Sequence, residues 1–247
     1  IRARDHDTEI LIEDGRIEGQ VSTKSSKTAS FTMTGGELAA WNEAALFLQG
    51  KGKISITSGE IRFSPNYSGE RTATALVYIA TSGTQSSRQH TEITGGTIEA
   101  VNNVVPLYIN SYKYGDMVLG GGSDMLKIIA ENAPAVQLPS SSVAKQAFTL
   151  KIKKDAILVG ATYAIEFIKE NKYDTISIEK GAYLGYQTIP INNSRYVIYP
   201  EGYVLNTQPT KKEEKIDLYT LIEKEKLSGK NEQTGEEYTY QNFDGNG

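Results

Sequence analysis

The chain has 247 residues, 38% hydrophobic and 23% charged, an ordinary balance for a folded domain. Its net charge of −4 argues against nucleic acid as a partner, because phosphate binding needs a basic footprint. The absence of cysteine excludes disulfides, thiolate catalysis and cysteine-based zinc sites, and no apolar run reaches the roughly 18 residues of a membrane span.

Residues 1–20 lack a secretory leader pattern, and the start at Ile1 reads as a fragment or as a mature product whose leader has been cut away. The first residues are polar, with Asp5, His6, Asp7 and Glu9 offering metal-ligand types on a segment with no scaffold to hold them; a charged end is the simpler reading. A strand follows at 9–13, a turn at Asp14 and Gly15, and a second strand at 16–21. The same phrase then returns: an apolar residue, two polar or small residues, glycine, one polar residue, a branched aliphatic. The copies are Ile12-Glu-Asp-Gly-Arg-Ile17, Met33-Thr-Gly-Gly-Glu-Leu38, Ile56-Thr-Ser-Gly-Glu-Ile61 and Ile93-Thr-Gly-Gly-Thr-Ile98. Gly15, Gly36, Gly59 and Gly96 fall in register, roughly 21, 23 and 37 residues apart, a spacing typical of stacked repeats. The flanks alternate apolar and polar with period two, so the units are strands. A unit this short cannot bury its own apolar face, and the copies must share a core.

A second column supports the stacking. Residues 45–48, 76–79 and 106–109 align to give Leu46/Val77/Leu107 and Leu48/Ile79/Ile109 as aliphatic columns, with Phe47/Tyr78/Tyr108 between them. Alternation along a strand sends the aromatic column to the opposite face from the aliphatic pair. Polar, turn-rich insertions at 64–72 and 81–90 account for the unequal repeat lengths, and in repeat folds such insertions map to one face. Beyond a boundary at Pro139 and the serines after it, strand-like segments continue. The expected division is therefore coils over 1–138, further β coils or a small β cap over 139–210, and a helical or extended tail over 211–247, where apolar residues at 216, 218, 221 and 222 allow a short amphipathic helix.

These phrases resemble the repeats of right-handed parallel β-helix surface proteins of bacteria, of the pectate-lyase-like adhesive and carbohydrate-binding type, over roughly residues 8–138. The resemblance implies an all-β, right-handed parallel β-helix (β-solenoid), an extracellular or cell-surface location, and adhesion to polysaccharide or to a host or matrix protein. The leading expectation is a non-enzymatic binding module. A polysaccharide lyase or glycoside hydrolase, and a structural spacer, are the alternatives.

Candidate chemistry follows from the columns. Glu37 and Glu60 share the position after the turn glycine and would stack as a carboxylate pair suited to acid–base work, although Arg16 and Thr97 occupy the same place in other copies. Asp116 and Asp124 flank Gly120, Gly121 and Gly122 and are candidates for Ca²⁺, but nothing nearby completes its six to eight oxygen ligands. With His6 and His90 as the only histidines, a histidine-based site has little material. The glycine triplet lacks the Lys-Ser/Thr ending of a phosphate loop. The remaining option is aromatic. Phe47, Tyr78, Tyr108, Tyr112 and Tyr114, with Asn110 between them and Tyr67 in the adjoining insertion, would form a sugar-stacking row, or else a ladder that only stabilises the coils.

Overall fold

The computed structural model describes residues 1–4, 7–24, 28–81, 88–110, 115–138, 148–161, 163–168, 175–179, 182–185, 191–192 and 196–199, and short strands at 203–204, 214–215, 220–223, 229–230 and 237–238. Among the described residues there is no helix, and hence none long and apolar enough to cross a membrane.

The chain winds as a parallel β-helix in which every turn lays down three strands. The first coil is β1 (Arg2–Arg4), β2 (Thr8–Ile12) and β3 (Arg16–Glu18). The second is β4 (Val21–Lys24), β5 (Ala29–Met33) and β6 (Glu37–Ala40); the third is β7 (Leu46–Gly50), β8 (Ile54–Ile56) and β9 (Glu60–Phe63). The fourth is β10 (Ala75–Thr81), β11 (Gln89–Ile93) and β12 (Gly96–Ala100); the fifth is β13 (Val105–Ile109), β14 (Gly115–Leu119) and β15 (Leu126–Ala130). The sixth is β16 (Val136–Leu138), β17 (Thr149–Ile152) and β18 (Ala156–Val159), and the seventh β19 (Ile165–Phe167), β20 (Thr175–Ile178) and β21 (Tyr183–Gly185). An eighth begins at β22 (Ile191–Asn192). Strands of like rank stack into an eight-stranded first sheet and two seven-stranded sheets, parallel throughout. The described strands from Thr149–Ile152 to Ile191–Asn192 add to the same three sheets.

Register follows the columns read from sequence. Leu46, Val77 and Leu107 are direct neighbours, as are Leu48, Ile79 and Ile109, and all six are buried. With like residues stacked about 4.8 Å apart, one continuous core extends from Ile10 to Leu184. Inward positions are mostly apolar because a packed, water-free interior rewards them; outward positions are mostly polar, charged or aromatic, with aliphatic exceptions such as Leu11.

The repeated glycines are the corners between second and third sheets. Gly15, Gly36, Gly59 and Gly96 have φ of 82°, 77°, 102° and 89°, in the left-handed region that side chains resist. They also touch one another. A Cβ on Gly36 would lie 2.8 Å from the Gly15 carbonyl oxygen, on Gly59 2.9 Å from that of Gly36, and on Gly96 2.6 Å from that of Gly59. Those carbonyls accept the amides of Glu37, Glu60 and Thr97 at 2.8, 2.9 and 2.9 Å, continuing the ladder through the bend. Past Gly96 the register puts Leu126 in the glycine column. The positive φ moves to Gly120 and Gly121, and in the sixth coil to Asp155 (φ 63°), a residue type that tolerates it. The corner persists where the phrase does not.

Toward the C-terminus, where apolar spacing leaves helix or extended chain open, Thr220–Glu223 is a strand paired antiparallel with Tyr196–Tyr199. Its Thr-Leu-Ile run suits a strand.

Candidate functional site

Phe47, Tyr78 and Tyr108 stand on the outer face of the first sheet, half-buried and in register. Parallel stacking turns the rings onto each other. Phe47 and Tyr78 are 4.6 Å apart at 12° between planes, and Tyr78 and Tyr108 5.4 Å at 24°. The row therefore offers ring edges to solvent; its faces are taken up by neighbouring rings, except at the two ends. Tyr78 and Tyr108 also pack on a small satellite cluster of Ala75, Val105, Ala130 and Ala133 at the corner leading into the first sheet. Desolvation raises the Tyr78 phenol above its usual range, with Tyr108 adding to the shift; its hydroxyl takes a hydrogen bond from the exposed Asn110 side-chain amide. Beyond Tyr108 the column becomes Gln137 and Glu166, joined by a side-chain hydrogen bond.

At the Phe47 end the row borders a groove of about 240 Å³. It follows the corner between third and first sheets across the first four coils. Gln20, Asn42, Glu43 and Ala44 line it with Phe47 and Tyr78, and the segment from Thr72 to Ala75 forms the other wall. The mixture is two rings and three alanine methyls with two amides, two threonine hydroxyls beside the Tyr78 phenol, and one carboxylate. Phe47 and Tyr78 belong to both groove and row, while Tyr108 and Asn110 are not in its lining. Tyr67 is turned onto its own loop: its hydroxyl donates to the Glu70 carbonyl at 3.3 Å, and its carbonyl accepts from Arg71 at 3.5 Å. Arg71 in turn lies 5.0 Å over the Phe63 ring. Tyr112 and Tyr114 lie outside the described residues, as do Asp5 and His6.

Sequence reasoning found Phe47 and Tyr78 and missed Gln20, Asn42, Glu43, Thr72 and Thr74. The missed residues sit in corners, where strand alternation carries no information about direction.

Glu37 and Glu60 are neighbours in register, as their shared position predicts. Arg62 Nε contacts both, at 2.8 Å from Glu37 and 3.1 Å from Glu60, and Arg16 reaches Glu37 at 3.3 Å and Glu18 at 2.6 Å. Arg16 holds the Glu18 carboxyl below its usual range, with smaller help from the Ser64 hydroxyl and the Trp41 indole. The carboxylate pair is thus part of an ion-pair lattice on the third sheet's outer face.

On the second sheet, Asp116 accepts from Arg88 Nε and Nη2, each at 2.7 Å, and Arg88 Nη2 also reaches the Gly115 carbonyl at 3.1 Å. This guanidinium depresses the Asp116 carboxyl, with His90 and Thr149 adding to the effect. Both Asp116 oxygens are engaged by an arginine, and Asp124 sits in the corner beside Gly95. Among the described residues no three His, Asp or Glu side chains gather as a metal site.

Comparison with known proteins found no matching family model, no matching curated protein and no matching solved structure.

Proposed function

We propose that this β-helix is a non-enzymatic binding module of a bacterial cell-surface protein, of the adhesive kind its repeats resemble, and that its ligand is a polysaccharide held at the Phe47–Tyr78 groove. The observation that carries the reading is the groove's lining: aromatic rings and methyls beside amides, hydroxyls and a carboxylate, all on a rigid coil corner. Apolar patches meet the C–H faces of sugars, and amides and hydroxyls fix their O–H groups. Its volume lies below the roughly 300–1,000 Å³ of enclosed small-molecule sites, which suits one ring of a longer chain.

A cysteine-free solenoid with no free thiols to oxidise is compatible with an extracellular setting. The test is a glycan array followed by calorimetry on the best oligosaccharide. Phe47→Ala is expected to weaken binding about tenfold, the range of an interface anchor, while Gln137→Ala, farther along the same column, leaves it unchanged. A blank array would overturn the proposal and favour the spacer, for which a continuous core over seven coils, roughly 30 Å of stack, is sufficient.

A further inference from the structure

The chain has one tryptophan, and it is half exposed: Trp41 retains 50% of its surface. Burying its ring is worth more than burying almost any other side chain, and Trp41 leaves half of that surface in water beside the groove-lining residues. Its indole lies near the Glu18 carboxylate, which Arg16 and Ser64 hold, and adds a little to lowering that carboxyl. Trp41 follows β6 directly, a strand whose outward positions are Glu37 and Ala39. Ala39 lies in register between Glu18 and Arg62, points outward and still has no exposed surface, so the longer side chains around it close over it. The indole therefore stands at the margin of a paved, rigid surface. The next two residues, Asn42 and Glu43, line the groove.

We infer that Trp41 is an outer subsite of the groove, where the next ring of a neutral glycan chain stacks after turning the corner from Phe47. The inference rests on the glycan-binding reading above and extends it around the coil edge. The charge pattern selects the ligand. Arg16 and Arg62 are already bonded to Glu18, Glu37 and Glu60, so a charged polymer would have to break existing pairs. Sugar hydroxyls need only the unused lone pairs and N–H groups at the lattice edge. Glu43, the single carboxylate in the groove lining, adds no positive charge to attract a polyuronate.

Because Trp41 is the only indole, its fluorescence reports this subsite alone. Neutral oligosaccharides of increasing length, taken from the array hits, should leave the emission unchanged while they fill only the groove. Once long enough to reach Trp41 they should shift or quench it, with affinity rising about tenfold at the same length. Trp41→Phe should lower the affinity of the long chain and not of the short one, with an unchanged far-ultraviolet circular dichroism spectrum. Calorimetric binding lost in Phe47→Ala but silent in wild-type fluorescence at every length would overturn the subsite and leave the groove standing. Tighter binding of a polyuronate than of neutral chains would overturn the ligand class. An absence of calorimetric binding would overturn groove and subsite together.

Discussion

Gly15 and Gly36 share a corner in neighbouring coils, with φ of 82° and 77°, but only one of them has a backbone at its back. A Cβ on Gly15 would meet nothing within 4 Å, whereas on Gly36 it would lie 2.8 Å from the Gly15 oxygen and 3.0 Å from the Asp14 carbonyl carbon. Gly15→Ala should cost about 1–2 kcal/mol, the strain of a left-handed alanine alone. Gly36→Ala should cost about 3–4 kcal/mol, because two stacked backbones must also part. Urea midpoints of the two variants separate these contributions; equal losses would mean that conformation, and not close approach, makes this position glycine. The sequence showed which residues were corners, since a recurring glycine between aliphatics has few other uses. It did not show that the corners touch, because contact between coils depends on register.

Strand columns were legible because stacked β units force like on like, which is why Phe47, Tyr78 and Tyr108 align as their spacing predicts. What the rings do was not legible from spacing. At one strand separation flat side chains turn face to face, and a row expected to stack on sugars presents edges instead. Charged cross-strand pairs obey the same geometry, and the link between β11 and β14 gives a pH-dependent example. Arg88, just before β11, grips Asp116 on β14 and depresses its carboxyl, while the unfolded chain returns it to the ordinary value of 3.8. Stabilisation by this pair is therefore present above that ordinary value and disappears as the pH falls through the lower folded one. Asp116→Asn should lower the urea midpoint at pH 7. The gap between wild type and variant should shrink steadily below pH 4, as the wild-type carboxyl takes up its proton. A gap that is constant down to pH 2 would show that Asp116 acts through packing or its neutral hydrogen bonds rather than its charge.

The molecule as a whole is one-dimensional: each coil packs on its two neighbours, and one core threads all seven. The glycine phrase revealed only four coils, because Leu126 and Asp155 take over the corner positions in later ones. The fold thus extends well past its most legible signature. Stability in such an array is close to a sum of coil and interface contributions, so opening should proceed from the ends inward. A middle coil is released only after two interfaces break, an end coil after one. Leu48, Ile79 and Ile109 are buried between coils on both sides. Hydrogen exchange should therefore be slowest for strand amides of the third to fifth coils and faster toward β1. Raising the urea concentration should steepen this gradient before the central coils exchange. Near-equal protection from β2 to β17, collapsing at one urea concentration, would instead show a core that melts as a unit. The corner groove would then draw its rigidity from the entire stack rather than from the four coils that build it.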